Sequence, residues 1–377
     1  MKIFILSITL AFFFFLVSCS NSVQYSEVKE EKSQSKEWAW IPYDSDALRI
    51  SGRAAYGVGD YVVLSWSASA VTVAFVGTAL EAKMRADNVV YIDVFVDGDD
   101  NPSSLIKLDH GDEPSEVPVV SGLPEGTHVV TLYKRSESNY GDWYFYGMRI
   151  QGHAQKKYLP AAPKRKIEFV GNSITCGFDV LIPDREMETD AVYESAYYSY
   201  AGQTAKSLNA EYRSICSSGR GVYLNCDGSK TLPLPAVYDK LGTDGILNGK
   251  WDHGKWHPDV VVMSLGTNDF SSGKIDSAHF VNAAIDFVLH IRSCHPKAKI
   301  VILDGPMLLG DYMVKCRRFL DVVKKTLEKK GEKGLYRFSF EPRVTLTQGV
   351  YFHPNKEEAA EDAESLSAWM RSKFGWN

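Results

Sequence analysis

The hydrophobic pattern of this 377-residue chain changes near its middle, and that change limits the folds it can adopt. In the first part, short apolar segments alternate with turns rich in Gly, Asp, Pro and Asn. Many short strands without a helical period predict an antiparallel β-sandwich, a jelly roll, over residues 41–155. In the second part, strand and helix patterns alternate, which predicts a three-layer α/β/α domain with a parallel sheet over residues 156–377. The predicted boundary is the segment 151–166, which contains two prolines and several basic residues.

The individual elements follow from the same periodicities. The strands predicted in the first part are Tyr61–Trp66, Ala70–Val76, Ala79–Met84, Val89–Val96, Glu116–Val120, His128–Lys134 and Trp143–Ile150. The strands predicted in the second part are Ile167–Val170, Tyr212–Ser217, Val260–Leu265, Ile300–Leu303 and Tyr336–Phe340. The predicted helices are Tyr197–Leu208, Ser277–Arg292, Tyr312–Lys329 and Lys356–Phe374.

The first 19 residues have the features of an export signal. Lys2 supplies a positive charge, and the apolar segment Ile3–Val17 is short for a membrane span. The tetrapeptide Leu16-Val17-Ser18-Cys19 resembles the bacterial lipoprotein cleavage box; the alternative is an ordinary secretory signal with an incidental cysteine. Cleavage would leave Cys19 as an acylated first residue, followed by a polar tether over residues 20–40. We therefore expect an exported lipoprotein anchored to the outer membrane, facing either the periplasm or the exterior.

Charge and cysteine content exclude several classes of function. The formal net charge is −5, without a basic segment, so nucleic acid is not an expected partner. Five cysteines remain beyond the signal, and an odd number cannot form a complete disulfide set. Their spacings do not match a zinc site, and we expect neither a metal nor an organic cofactor. Most should be small buried residues, while a Cys216–Cys226 bridge stays open for an oxidising compartment.

Four polar motifs occur at loop positions of the predicted α/β domain. Gly171-Asn172-Ser173, Cys216–Gly221 and Gly266–Asp269 each follow a predicted strand, and His353-Pro354-Asn355 precedes the last helix. Each motif alone is an ordinary turn sequence. Ligands of open α/β sheets bind beyond the carboxyl ends of the strands, so we expect the motifs to meet in one crevice. A serine there is activated only beside a base and an oxyanion donor, which an imidazole and an amide can supply.

In this order, the four motifs resemble the conserved blocks of the SGNH, or GDSL-type, hydrolases over about residues 166–377. The resemblance implies that Ser173 is the nucleophile and His353 the general base. It also implies an oxyanion hole formed by the N–H of Ser173, the N–H of Gly219 and the side chain of Asn268.

Two points of this resemblance stay open. Gly221 fits the second block as well as the glycine two residues before it. SGNH enzymes normally place an Asp two or three residues before the histidine, but Val350 and Tyr351 hold those positions, and no acid occurs between Pro342 and His353. We expect a Ser-His dyad whose Nδ1 donates to a main-chain oxygen, as in some members of the family; the alternative is an acid from a distant loop.

The first part of the chain is similar to the jelly-roll domain of carbohydrate esterase family two, in the segments Ile50–Arg53 and Val71–Thr78. The resemblance implies an esterase that removes acetyl groups from plant polysaccharides such as xylan and glucomannan. One alternative is an SGNH hydrolase acting on another ester, of a lipid or of the cell wall. A second is a carbohydrate-binding surface lipoprotein with a decayed hydrolase site.

Family two carbohydrate esterases use an aromatic side chain beside the serine to pack against the sugar. Tyr223, Tyr312 and Phe352 are assigned to this role, with Trp251 and Trp256 as further candidates. The same residues could equally belong to the core, and the sequence does not choose between them.

Overall fold

The amino-terminal half of the described chain is entirely β-structure. The computed structural model describes residues 37–243, 249–271, 273, 275–343 and 348–376. The predicted signal, Cys19 and most of the predicted tether lie outside the described residues. From Glu37 onward the chain forms one compact unit.

Within the described residues, this half contains ten strands joined in one hydrogen-bonded network. They are β1 (Trp38–Pro42), β2 (Leu48–Ser51), β3 (Ala54–Gly59), β4 (Tyr61–Leu64), β5 (Ala70–Ala86), β6 (Val90–Val96), β7 (Ser104–Leu108), β8 (Ser115–Val120), β9 (Gly126–Lys134) and β10 (Trp143–Ala154). Their main order is β3-β4-β10-β5-β9-β6-β7, with β1 on β10 and with β2 and β8 on β5. The alternating apolar residues of these strands enclose one buried core.

The prediction of two separate strands at Ala70–Val76 and Ala79–Met84 was wrong, because β5 runs through both. A β-bulge lies in β5 at this point: Ala79 pairs with Gln151 and Gly77 with Gly152, so Thr78 is the extra residue on β5. The glycine therefore marks a bulge and not a turn. Strands β1, β2, β3 and β7 were not predicted, because they are short or carry little alternation.

The carboxyl-terminal half alternates strands and helices, as predicted. Its strands are β11 (Arg165–Gly171), β12 (Ala210–Cys216), β13 (Val260–Ser264), β14 (Lys299–Asp304) and β15 (Leu335–Ser339). Its helices are α1 (Ser173–Cys176), α2 (Tyr200–Ser207), α3 (Leu234–Val237), α4 (Thr267–Ser271), α5 (Ser277–Cys294), α6 (Gly310–Lys329) and α7 (Lys356–Phe374).

The five strands of this half form a parallel sheet in the order β12-β11-β13-β14-β15. Residues of α2 and α7 share one apolar cluster with one face of the sheet, and residues of α5 and α6 share another with the opposite face. This arrangement confirms the predicted three-layer α/β/α class. Since the chain turns to opposite sides of β11 for β12 and β13, the strand order reverses there, which is where such sheets bind ligands.

The two halves share a buried polar contact as well as apolar surface. Arg53 of the first half pairs with Glu168 on β11 at 3.2 Å, and both side chains are fully buried. The hydroxyl of Tyr238 donates to the same carboxylate at 2.6 Å. Burial alone would raise the pKa of Glu168, but the Arg53 guanidinium beside it lowers that pKa well below its usual range. The strand that carries Ser173 at its end is therefore fixed to the β-domain through an ion pair.

Among the described residues, none of the helices combines the length and the apolar character needed to cross a lipid bilayer.

Candidate active site

Ser173 lies directly beyond β11, where the chain turns from strand into α1. The side chain of Asn172 caps this short helix by accepting a hydrogen bond from the N–H of Ile174 at 3.2 Å. Ser173 is the first helical residue, so its own N–H has no partner within the helix. The residue is 7% exposed, which leaves its hydroxyl accessible only from the cleft that it faces.

His353 reaches this hydroxyl from the segment before α7. Its Nε2 lies 2.7 Å from Oγ of Ser173, and its Nδ1 lies 3.1 Å from the main-chain oxygen of Val350. A carbonyl oxygen only accepts, so the proton of the neutral ring is on Nδ1. Nε2 is then free to accept the serine proton. The expected main-chain acceptor for Nδ1 is thus present, and within the described residues no carboxylate contacts the ring.

The surroundings of His353 favour the neutral form of its ring. The ring of Phe178 packs against the imidazole with centroids 4.8 Å apart. Burial lowers the pKa of His353 to about 4, although its hydrogen bonds to main-chain oxygens act in the opposite direction. At neutral pH the imidazole is therefore available as a base.

The two further oxyanion donors follow the strands on either side of β11. Gly219, beyond β12, adopts a left-handed φ of 77°, and its N–H has no acceptor among the described residues. Asn268 lies in α4, beyond β13, and donates one amide hydrogen to the main-chain oxygen of Arg220 at 2.9 Å. The second amide hydrogen remains available. Both residues line the same cleft as Ser173.

The alternative glycine, Gly221, occupies a different environment. Its N–H faces the side-chain oxygen of Asn225 at 3.3 Å, and it does not line the cleft. A Cβ there would lie 1.9 Å from the main-chain oxygen of Leu224 and 2.6 Å from a carboxylate oxygen of Asp269. Gly221 is needed for this close packing, so the geometry favours Gly219 as the donor.

Two buried acids that the sequence analysis did not assign hold the loop that contains Gly219. Asp269 accepts the N–H groups of Val222 at 3.0 Å and of Tyr223 and Leu224 at 2.8 Å each. Burial raises the pKa of Asp269, and these three bonds counteract that effect. Asp269 belongs to the Gly-Thr-Asn-Asp motif, so its place after a strand could be predicted from the sequence. Its hydrogen bonds to the N–H groups of residues 222–224 could not.

The second acid comes from the β-domain. Glu137 follows β9 and accepts the N–H of Ser218 at 2.7 Å. Burial raises the pKa of Glu137, while the hydrogen bond from Ser218 lowers it. No sequence signal pointed to Glu137, because it lies 81 positions from its partner.

A disulfide joins the nucleophile helix to the same loop. It connects Cys176 in α1 with Cys216 at the end of β12, so the Cys216–Cys226 pairing considered above was wrong. Gly171 pairs in register with Cys216, and one helical turn carries Cys176 back over its partner. Among the described cysteines, Cys226 is free and exposed, Cys294 is free and half-buried, and Cys316 is free and buried.

The cleft has a volume of about 420 Å³. Its walls are Ser173, Phe178, Ser218, Gly219, Cys226, Thr267, Asn268, Ser271, Met307, Leu308, Tyr351, Phe352 and His353.

Of the aromatic residues assigned to substrate binding, Phe352 lines the cleft and is 40% exposed. Tyr351, which the sequence analysis did not consider for this role, is 70% exposed beside it. Both have left-handed φ angles, 47° for Tyr351 and 63° for Phe352, and both line the cleft together with His353.

The other aromatic candidates do not line this cleft. Tyr223 stacks on His279 with ring centroids 5.4 Å apart. Tyr312 is exposed at the start of α6. Trp251 and Trp256 are buried, and each packs against the guanidinium of Arg213.

Comparison with known proteins supports both halves of this description. The family "Carbohydrate esterase 2 N-terminal" matches residues 50–161, and the "GDSL-like Lipase/Acylhydrolase family" matches residues 169–371. A solved family two carbohydrate esterase from Clostridium thermocellum, in complex with cellohexaose, is 32% identical with a TM-score of 0.82. The match covers 88% of this chain and 100% of that one.

Two further relatives match over most of this chain. The cellulase/esterase CelE of Acetivibrio thermocellus is 32% identical over 335 residues, which are 88% of this chain but 40% of CelE. This chain thus spans well under half of CelE. An acetylxylan esterase / glucomannan deacetylase of Cellvibrio japonicus is 27% identical over 369 residues, which are 96% of each protein. With both halves matched, the chain belongs to the GDSL-like lipase/acylhydrolase family and, within it, to the family two carbohydrate esterases.

Proposed function

We propose that this protein removes O-acetyl groups from plant polysaccharides such as xylan and glucomannan, using Ser173 and His353 as a catalytic dyad. The observation that carries the proposal is the 2.7 Å contact between Nε2 of His353 and Oγ of Ser173. Gly219 and Asn268 line the same cleft. The substrate class is supported by the Cellvibrio japonicus relative, an acetylxylan esterase / glucomannan deacetylase that matches along nearly its whole length.

The geometry fits acyl transfer through a covalent intermediate. Oγ of Ser173 attacks the acetyl carbonyl carbon while Nε2 of His353 takes the hydroxyl proton. The N–H groups of Ser173 and Gly219 and the amide of Asn268 stabilise the negative charge that forms on the carbonyl oxygen. His353 then protonates the departing sugar oxygen. Water, deprotonated by the same ring, releases acetate and restores the serine.

The main-chain oxygen of Val350 performs the orienting part of the role that an Asp has in a triad. It fixes the ring and its tautomer through the 3.1 Å contact with Nδ1. It carries only a partial negative charge, so it stabilises the imidazolium less than a carboxylate would. The dyad thus relies on orientation and on the oxyanion donors.

Acetate release from acetylated xylan and acetylated glucomannan tests the proposal. We expect the wild type to release acetate and Ser173→Ala to lose at least about 10³-fold of that rate. Ser103→Ala, which removes an exposed serine of the β-domain, is the matched control and should behave as wild type. Full activity in Ser173→Ala would refute the assignment.

A panel of esters separates this function from hydrolysis of a lipid ester. Phe178, Met307 and Leu308 give the cleft an apolar wall, which could also contact a longer acyl chain. We expect acetylated polysaccharide and 4-nitrophenyl acetate to be cleaved faster than an octanoyl ester. The reverse order would favour a lipid substrate. A chain that binds polysaccharide but cleaves none of these esters would be a binding protein.

We further propose that the protein is exported and held on the outer membrane by acyl chains on Cys19. The support is the sequence alone: the apolar segment Ile3–Val17 followed by the lipoprotein-like box. Incorporation of a labelled fatty acid in a bacterial host should occur in the wild type and be lost in Cys19→Ala, which should move to the soluble fraction. Labelling that persists in Cys19→Ala would contradict this anchor.

A further inference from the structure

A second group of chemically versatile side chains lies outside the catalytic cleft. It comprises one carboxylate, two imidazoles and one thiol: Asp239, His253, His290 and Cys294. The first two residues lie between α3 and β13, and the last two lie on α5. The proposed mechanism uses none of these four residues, which are called the 239–294 cluster below. The cysteine spacings along the chain do not match a zinc site, so the sequence did not predict this group. The fold brings the four side chains together.

The distances within the 239–294 cluster are close to those of a metal site. Nε2 of His253 lies 3.0 Å from Oδ1 of Asp239, and Nε2 of His290 lies 2.8 Å from the same oxygen. Sγ of Cys294 lies 3.8 Å from Nε2 of His290. The ligand atoms of Asp239, His253 and Cys294 are all within 4.8 Å of one another. Tetrahedral zinc, with bonds of about 2.0–2.3 Å, separates its ligand atoms by roughly 3.3–3.8 Å.

The backbone already holds the four side chains together. His290 and Cys294 are four residues apart on α5, so they lie on the same face of the helix. The N–H of Trp251 donates to the main-chain oxygen of Asp239 at 2.7 Å, which brings the segment of His253 next to the aspartate. The imidazole of His253 also stacks on Tyr238, with ring centroids 5.2 Å apart. A metal would therefore need small side-chain shifts and no refolding.

We infer that the 239–294 cluster binds a divalent transition-metal ion, with Zn²⁺ as the best match to two imidazoles, a carboxylate and a thiolate. Calcium and magnesium prefer oxygen ligands only, whereas imidazole and thiolate select zinc and its neighbours in the transition series. On binding, the thiol of Cys294 loses its proton to solvent, and the hydrogen bonds between Asp239 and the two rings are replaced by bonds to the metal. The side chains of Asp239 and His290 are 36% and 40% exposed, so an ion can enter from solvent.

The metal would act as a structural clamp. It would tie the carboxyl end of α5 to the segment around Tyr238, whose hydroxyl contacts Glu168 on β11. Its expected effect is on stability, and it goes beyond the esterase function without depending on it.

Metal content and spectroscopy of the full protein test the inference. After dialysis against EDTA, titration with Zn²⁺ should show one bound ion per chain and raise the Tm, and EDTA should reverse both changes. Titration with Co²⁺ should give the visible bands of a tetrahedral site and a thiolate-to-cobalt charge-transfer band. Cys294→Ser should abolish that band and weaken zinc binding by at least about tenfold, and His253→Ala should weaken it similarly.

Cys226→Ser is the matched control, because Cys226 is a free thiol in the catalytic cleft. It should retain both the cobalt band and the zinc affinity. Absence of stoichiometric zinc in the wild type would overturn the inference without touching the esterase assay. Zinc binding that is unchanged in Cys294→Ser and lost in Cys226→Ser would place the ion in the cleft and also overturn it. If His253→Ala does not fold, the wild-type cobalt spectrum and the conservative Cys294→Ser variant still decide.

Discussion

On one side of the catalytic cleft, Gly219 and Asn268 are held by several independent contacts; on the other side, the ring of His353 is oriented by one main-chain oxygen. The first group, the oxyanion side, is fixed by Asp269, by Glu137 and by the Cys176–Cys216 disulfide. The second group, the base side, comprises residues 348–353. Its ring has the Val350 oxygen as its hydrogen-bond partner besides Ser173.

This difference follows from what each side has to do. Donors that stabilise a developing negative charge are effective only if they are already oriented, because reorganisation during the reaction would cost free energy. A general base needs a neutral ring at hydrogen-bond distance and a defined tautomer. Burial favours the neutral ring of His353, and the carbonyl of Val350 fixes its tautomer and orientation. Two buried acids, Glu137 and Asp269, therefore support the oxyanion loop, whereas no carboxylate of the described residues contacts the histidine ring.

The largest expected effect is on the base side. His353→Ala removes the only described base at Ser173, and kcat should fall by about 10⁴-fold or more. Rates of 4-nitrophenyl acetate hydrolysis measure this loss. His110→Ala, which removes an exposed histidine of the β-domain, should leave the rate unchanged. Retention of a tenth of the activity in His353→Ala would show that another group takes the serine proton.

On the oxyanion side, Asn268→Ala should lower kcat by about 10²–10³-fold with little change in KM, because the donor acts mainly on the transition state. Asn268→Asp keeps the shape but removes the donor and adds a negative charge, so its loss should be at least as large. Steady-state kinetics on acetylated xylan measure both. A loss below about fivefold in both variants would remove Asn268 from the oxyanion hole.

Asp269→Ala should weaken the oxyanion side indirectly. It leaves three N–H groups, two buried and one partly buried, without this acceptor, and the free energy of unfolding should fall by about 3 kcal/mol. We also expect kcat to fall about tenfold, since the Gly219 loop loses its anchor. Asp269→Asn retains one acceptor oxygen and should lose less of both. Urea unfolding and steady-state kinetics on the same preparations test whether Asp269→Ala loses more stability and more kcat than Asp269→Asn. An unchanged kcat in folded Asp269→Ala would show that the loop keeps its position without the acid.

The pH dependence of kcat/KM distinguishes a dyad from a triad. The active form has a neutral His353, whose pKa is lowered to about 4. Activity should therefore persist as the pH falls through 6.5 and decline only with a midpoint near 4. An acid in contact with the ring would stabilise its protonated form and move this midpoint upward. Circular dichroism at each pH must show a folded protein, and a midpoint near 6.5 or above would contradict the apolar environment of the ring.

The smallest expected effect concerns the sugar. Phe352→Ala should raise KM for acetylated polysaccharide by roughly fivefold, about 1 kcal/mol, because one aromatic contact is lost. The rate on 4-nitrophenyl acetate should stay nearly the same, since that substrate has no sugar. Tyr312→Ala serves as the comparison, as Tyr312 does not line the described cleft. An equal increase of KM in Tyr312→Ala would mean that the binding surface extends beyond the cleft.

Local sequence patterns were sufficient to predict a site residue where its position follows from the end of a strand or helix. Ser173, Gly219 and Asn268 each follow a parallel strand, and neighbouring parallel strands end at the same edge of the sheet. Helix α7 begins and ends at the predicted residues, because its Asn355–Glu358 capping box and its terminal Gly375 are visible in the sequence. The absence of a nearby acid before His353 also correctly indicated a main-chain partner for Nδ1.

Contacts between distant segments could not be predicted in the same way. Phe178 packs on the ring of His353 across 175 positions of sequence, and Glu137 reaches the oxyanion loop from the other half of the chain. The partner of Cys216 depended on the register of β11 with β12, which periodicity does not give. Side chains of Tyr351 and Phe352 face the cleft because two consecutive residues adopt left-handed backbone angles, which neither residue type favours.

The sequence by itself determined the two-part architecture, the five strands of the parallel sheet and its longer helices, three polar motifs at strand ends and a fourth before the last helix, because each depends on residues close together in the chain. Only the tertiary structure decided which glycine faces the cleft, which cysteines pair, which acids support the oxyanion loop, and that a carboxylate, two imidazoles and a thiol meet beside α5. Those outcomes depend on packing between segments far apart in sequence, and burial of apolar surface, which drives that packing, carries no local signature.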